Sequence, residues 1–356
     1  MSFPHPAVTA ARHAMRATLD DVALAHAPAV IVAVSGGSDS MALAAVAQWA
    51  LADQREVIGV VIDHGIRPGS DREARAVDQF LYRKLGSSVL AQVEISGADG
   101  PEGNARHARY RRLAQIARAG AAMLEHSQPL PVFLGHTAND QAESVLLGLS
   151  QGSGPRSMAG MRRIGPLPGH PDVLAVRPFL DIERESLRTV CRELDMPWID
   201  DPSNELDGPW RCADGSPLRR NAIRHQLMPV LDEVLGPGVI SALTRSARMM
   251  RDDDDALTEA AWHAGEQCVT ESDEGIVVDC HRLAGYHRAL RTRVLRQAAV
   301  RGGVRARELI FWHVDALDKV IMGHDNKLRI DLPGSYAWRE NNQLYFGHHP
   351  RRNHEI

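Results

Sequence analysis

Between Ala29 and about Arg177 the chain repeats one pattern, a short β-branched run followed by a longer stretch with apolar residues at helical spacing. The runs are AVIVAV, VIGVVID, SVLAQVEI, PVFLG and VLAVRP, and the stretches between them cover about 39–52, 71–86, 104–120 and 139–149. Strands alternating with segments long enough for crossover helices build a parallel sheet. The predicted fold is α/β, a doubly wound parallel sheet with helices on both faces. Its chemistry belongs in the loops at the strand carboxyl ends.

The pattern then changes. Gly- and Pro-rich stretches, GSGPRSMAGMRRIGPLPGHP and DDPSNELDGPWRCADGSP, interrupt it, and RRNAIRHQLMPVL after the second reads as a connecting helix. From near Gly236 the spacing is mostly helical, with an arginine-rich helix from about His281 to Val300 and short strands near KLRIDL, SYAWRE and QLYF. The expected organisation is a catalytic domain over 1–218, a connecting helix over 219–235 and a smaller, mainly helical domain over 236–356 that would bind an RNA partner.

Composition adjusts this picture in few places. A length of 356 residues suits two domains. No apolar run approaches the roughly 18 to 20 residues that span a bilayer, and the first residues lack the apolar segment of a secretory signal, so the expected location is cytoplasmic, with no membrane partner. The four cysteines form no C-x-x-C pair, which argues against a zinc knuckle or a dithiol centre. Net charge is -4, yet arginines cluster at 282, 288, 291, 293, 296, 301, 305 and 307. Such a stretch reads either as a solvated face or as a footprint for an RNA backbone, whose affinity would then fall steeply with salt.

The sharpest signal is SGGSDS, Ser35 to Ser40, directly after AVIVAV and directly before a helical run. Two glycines permit a tight turn, so successive N–H groups, the positive end of the helix and the hydroxyls of Ser35, Ser38 and Ser40 can converge on one anion. A generic Gly-Gly-Ser stretch also fits a simple capped turn. A Walker loop would need Lys after the second glycine and a dinucleotide loop G-x-G-x-x-G, and neither is present.

SGGSDS resembles the pyrophosphate loop (PP-loop) of N-type ATP pyrophosphatases, a Rossmann-like family that splits ATP between its α and β phosphates. With IDHGIRPGSDREA, GNARHARYRRL, GHTANDQAESVLLGLSQGSGPRSMAGM, RPFLDIERESL, WIDDPSNEL and RRNAIRHQLMPVL in order, the set is similar to the tRNA(Ile)-lysidine synthases over roughly Ala29 to Leu231. The resemblance implies ATP and Mg2+ as cofactors, and as partners a tRNA(Ile) with a CAU anticodon, free L-lysine and, as a candidate, a second copy of the chain. It implies that the C2 position of the wobble cytidine is adenylated and that lysine then displaces AMP.

Site residues follow from the same resemblance. Ser35, Gly36, Gly37, Ser38, Asp39 and Ser40 would grip ATP, with Asp39 also on the metal, and Asp63 and His64 would meet adenine or ribose. Arg109, His136, Asp140 and Glu143 join Asp39 as catalytic candidates; His136 is also a candidate proton acceptor. Many relatives carry Asp where this chain has Asn139, so a metal role there lacks its charge. Arg106, Asn221 and Arg224 are the tRNA-binding candidates, joined by Arg291 from the arginine-rich stretch, although Asn221 and Arg224 fit a brace of the hinge between domains equally well. Two rivals remain: a thiolase of the same fold, which calls for paired cysteines near ATP, and a non-catalytic ATP-sensing or RNA-binding module.

Overall fold

The computed structural model describes residues 4–65, 69–97, 100–152, 154–212, 214–272, 275–306, 308–323 and 329–347. Helix α1 (Pro6–Leu19) precedes an alternating series: β1 (Ala29–Val34), α2 (Ser38–Leu51), β2 (Glu56–Asp63), α3 (Ser70–Leu85), β3 (Ser88–Gln92), α4 (Gly100–Met123), β4 (Val132–Leu134) and α5 (Ala138–Gln151). One short turn, α6 (Pro155–Met158), leads to the hairpin β5 (Ile164–Leu167) and β6 (His170–Val176), then α7 (Arg184–Glu193). A broken helix follows, with α8 (Arg219–Ala222), a π-helical turn (Ile223–Leu227) and α9 (Met228–Leu235).

The sheet order is β3-β2-β1-β4-β6-β5, parallel throughout except that β5 runs antiparallel to β6. This bears out the parallel α/β reading and adds an edge strand that the Gly- and Pro-rich sequence had concealed. Alternation along β1 explains the two covered faces. Val30, Val32 and Val34 pack with α1, α2, α3 and α7, whereas Ala29 and Ile31 pack with α4 through Tyr110, Leu113 and Ala114. Each fully buried Val or Ile contributes about 1.5–3 kcal/mol, so β1 is fixed from both sides. Helix α2 is apolar on all sides, with Met41 to Ala47 buried, as expected of a helix enclosed by its neighbours.

The chain leaves β1 toward β2 and β3 on one side and returns to β4 on the other. That reversal between β1 and β4 opens a crevice at the strand carboxyl ends, where ligands bind in open α/β sheets.

The structure divides into two compact units, Met1–Ser150 with Gly160–Ala247, and Gln151–Ala159 with Arg248–Ile356. The division falls inside α10 (Val239–Cys268). In the second unit β7 (Val269–Ser272), β8 (Gly275–Asp279), α11 (Cys280–Ala284), α12 (Arg288–Arg301), α13 (Phe311–Ile321), β9 (Arg329–Leu332), β10 (Ser335–Glu340) and β11 (Gln343–Phe346) follow. Beside its helices this unit has a five-stranded antiparallel sheet, β7-β8-β11-β10-β9, packed around Val278, Leu295, Leu317 and Phe346. Strand β7 went unread in the sequence because it is a polar, exposed edge whose extended form depends on pairing, and β8 was missed although GIVVD is a short, buried apolar run. The expected strand KLRIDL is described from Arg329 onward; Lys327, like Arg307, lies outside the described residues.

Candidate active site

Four parallel strands end side by side, and the residues just past them are the chemical ones. Past Val34 comes Ser35, past Asp63 comes His64, past Leu134 come Gly135 and His136, and past Val176 comes Arg177. The loop after β1 is held in an open turn. Gly36 has φ +87°, and a Cβ there would meet Val77 Cγ2 at 3.1 Å, so both backbone and space require glycine. Ile199 N donates to Gly36 O (2.9 Å), Ser35 N donates to Ser40 Oγ (3.1 Å), and Ser40 Oγ donates to Gly37 O (2.9 Å). Gly37 caps α2 without a side-chain bond, and Ser40 N donates back to Gly37 O (3.1 Å), so the N–H groups of Ser38 and Asp39 are the ones left at this helix end for an anion. From the opposite strand Gly135 presses against this turn, since a Cβ there would meet Asp39 C, Asp39 O and Ser40 N, each at 3.0 Å.

Behind the loop, Cys191 donates its thiol to Ser38 O at 3.2 Å, and burial pushes that thiol up to about 12. It is a buried donor and no nucleophile at neutral pH.

Carboxylates and cations then interleave. Arg184 Nε donates to Asp39 Oδ2 (2.9 Å), and Arg184 Nη2 reaches Asp140 Oδ1 (3.4 Å). Asp140 Oδ2 accepts from Thr137 N (2.8 Å) and Thr137 Oγ1 (2.9 Å). Glu143, 2% exposed at its side chain, accepts from Arg224 Nε (2.8 Å) and Nη2 (3.2 Å), with Arg220 Nε at 3.5 Å. Burial raises the Asp39 carboxyl against the pull of Arg184. At Asp140 burial also pushes upward, but Arg184, the Thr137 N–H and Arg220 outweigh it and hold the carboxyl below its ordinary range. Asn139, read from sequence as a weakened metal ligand, accepts from Arg184 N at 2.9 Å and so tethers the start of α7.

The other wall is cationic. Arg106 and Arg109 lie over the Tyr110 ring at 5.2 and 5.4 Å, and Arg177 is near enough to act on both Tyr110 and His136. Burial pushes the Tyr110 phenol up, but the three guanidiniums outweigh it and lower it overall. Burial, then Asp140 opposing, then the guanidiniums leave His136 lowered, and His64 falls to about 4 through burial and Arg109. Both imidazoles are therefore neutral at pH 7. Their Nδ1 atoms and the Tyr110 hydroxyl are buried without a hydrogen-bond partner among the described residues. Orphaned polar atoms beside guanidiniums suit an incoming anion with several acceptors.

The structure brings Ser35 to Ser40, His64, Arg106, Arg109, His136, Asp140 and Glu143 to one strand-end crevice. It redirects others. Asp63 turns inward, its Oδ1 accepting from Gly65 N (2.9 Å) and Ser70 Oγ (2.8 Å), so that it orders the loop carrying His64 instead of facing nucleotide. Asn221 is buried and donates to Ser203 O and Glu205 O (both 2.9 Å), which makes it a clamp on the DDPSN loop and removes it from contact with RNA. Arg224 is engaged with Glu143 inside the first unit, a pairing that is neither a phosphate contact nor a brace between the two units. Arg291 corrects a further expectation: it is buried, with Nε to Asp318 Oδ1 at 2.7 Å and Nη1 to Tyr286 O at 2.8 Å, so it cannot offer itself to a phosphate. Its neighbours are similarly engaged, Arg288 with Asp315, Arg293 with Asp254 and Arg301 with Glu271. Arg177, Arg184 and Arg220 carried no assigned role in the sequence, although each sits inside or just after a segment that supported the resemblance.

Comparison with known proteins agrees with this geometry. A model of the PP-loop domain matches residues 8–231, and one of the TilS substrate binding domain matches residues 279–345. A tRNA(Ile)-lysidine synthase of Streptomyces coelicolor is 38% identical, with 94% of this chain and 96% of that protein covered. One of Thermobifida fusca is 39% identical over 95% and 97%. Among solved structures, a U34-tRNA thiolase from Methanococcus maripaludis shares the fold, with a TM-score of 0.51, 16% identity, and 69% of this chain and 80% of that one covered. A strand-end crevice built by the PP-loop segment, together with identity sustained over nearly the whole length of named relatives, places the chain in one family: it belongs to the tRNA(Ile)-lysidine synthases.

Proposed function

We propose that the chain uses ATP to join free lysine to C2 of the wobble cytidine in a tRNA(Ile) with a CAU anticodon, releasing AMP and pyrophosphate. The cytidine O2 attacks the α phosphorus and pyrophosphate leaves; the lysine amine then attacks C2, and AMP leaves with that oxygen while the amine gives up a proton. The observation that carries the reading is the meeting of the Ser35–Ser40 loop with the Arg106, Arg109 and Arg177 wall at one crevice, in a chain that is a family member over nearly its whole length.

Each group acts by charge and position. The Ser38 and Asp39 N–H groups at the start of α2 and the hydroxyls beside them bind the leaving pyrophosphate. Arg109 and its neighbours stabilise negative charge developing at the α phosphate as donors already in position, which need no reorganisation. His136, which burial and the guanidiniums keep neutral, is a weakened base, so it orients substrate by hydrogen bonding and the proton of the attacking amine passes to solvent. Mg2+ takes one or two carboxylates plus substrate phosphates; among the described residues no cluster of three or more candidate ligands exists, and Asp39 at the loop fits as the protein's share, the metal supplying charge neutralisation to the phosphates. Among the described residues, no single helix is long and apolar enough to cross a membrane.

The test is release of AMP and pyrophosphate by purified protein with that tRNA and labelled lysine. Label in the tRNA, stoichiometric with AMP, supports the reading; AMP without label reassigns the nucleophile, and no AMP refutes ligase activity.

A further inference from the structure

Arg184 opens α7, and its main chain is fixed to the start of α5. Its N–H donates to Asn139 Oδ1 (2.9 Å), and two residues earlier Ile182 O accepts from Ala138 N (2.9 Å). The guanidinium reaches from there to Asp39 (2.9 Å) and to Asp140 (3.4 Å). Its side chain keeps 20% exposure, so water and ions reach it.

The two carboxylates are held unequally. Asp140 is locked by Thr137 through two bonds under 3 Å to its other oxygen. Besides Arg184, Asp39 has only the longer Ser38 Oγ contact (3.3 Å) among the described residues. A divalent cation arriving at Asp39 therefore meets a guanidinium already on the same oxygen.

We propose that Arg184 is a resident counter-cation of the nucleotide site: it aligns Asp39 in the nucleotide-free protein, yields Asp39 Oδ2 to the incoming divalent cation and stays anchored on Asp140. It is a positioning residue that sets the affinity of the site for the cation. The exchange needs only side-chain rotation, because the backbone of Arg184 is pinned. Free metal is disfavoured while the guanidinium is in place, and metal carried on ATP, whose phosphates complete its octahedral shell, displaces it. This inference rests on the reading of Asp39 as a metal ligand.

The experiment is titration of Mn2+ alone into the full-length, nucleotide-free protein, followed by electron paramagnetic resonance, with melting curves to establish folding. Removing a unit charge at contact distance predicts that Arg184→Gln binds Mn2+ at least about tenfold more tightly. Arg184→Lys, which keeps the charge, stays near wild type. Arg188→Gln, which removes a cation one turn further along α7 that pairs with Asp200 (3.1 Å), also stays near wild type. The gain in Arg184→Gln disappears in the double variant with Asp39→Asn. An Arg184→Gln protein that binds no tighter, or an equal gain in Arg188→Gln, overturns the role of Arg184. A gain that survives Asp39→Asn overturns the assignment of Asp39 itself.

Discussion

Replacing Glu143 with Gln keeps its size and removes the charge that two arginines share. The carboxylate is 2% exposed and takes two hydrogen bonds from Arg224, with Arg220 at 3.5 Å. Breaking a buried ion pair by neutralising one partner costs about 3–5 kcal/mol. Here the arginine side chains retain 20% and 22% exposure, so water partly compensates them, and Gln still accepts one bond. About 2 kcal/mol is expected for Gln and about 3 kcal/mol for Ala. For a domain of this size the Gln variant should melt roughly 4–8 °C lower. Urea unfolding of Glu143→Gln, Arg224→Gln and the double variant gives the coupling directly, provided the m-values agree. A coupling of about 1–2 kcal/mol is expected. A value under about 0.5 kcal/mol refutes the claim that this pair fixes α5 to the broken helix, and leaves Glu143 free for contact with substrate alone.

Other expectations follow from the same geometry. Gly135→Ala forces a Cβ against three backbone atoms of the PP-loop helix, so it should cost about 1–3 kcal/mol and weaken ATP binding measured by calorimetry. His64 is depressed to about 4, so its neutral form is favoured by folding; the unfolded chain binds the extra proton between about pH 4 and 6.5, and stability falls as pH drops through that window. In His64→Gln, pH-dependent melts should show a shallower slope, the remainder coming from His136, whose imidazole is also held neutral. Arg291→Ala should cost about 3 kcal/mol in urea unfolding while the folded variant keeps wild-type tRNA affinity by filter binding, because the residue braces Asp318 inside the second unit. His136→Ala should lower turnover more than tRNA affinity, read from single-turnover rates beside binding curves.

The sequence by itself determined the parallel sheet and the position of the site on it. Period-two apolar runs separated by helical spacing admit few other folds, and a glycine-rich loop between a strand and a helix can only lie at a strand's carboxyl end. Legible too were the residues whose role is local: the loop from Ser35 to Ser40 acts through its own backbone, which sequence neighbours dictate. What only the tertiary structure decided is who faces whom across long separations. Arg184 meets Asp39 over 145 positions, Arg224 meets Glu143 over 81, and Asn221 clamps Ser203 and Glu205 from a different element. The arginines of the second unit show the same point in reverse: as a string they are a basic stretch, but once folded most described ones lie on acidic partners brought from elsewhere. Charge along a sequence counts ions, whereas their availability depends on pairing and burial, and those are set by the packing of distant elements.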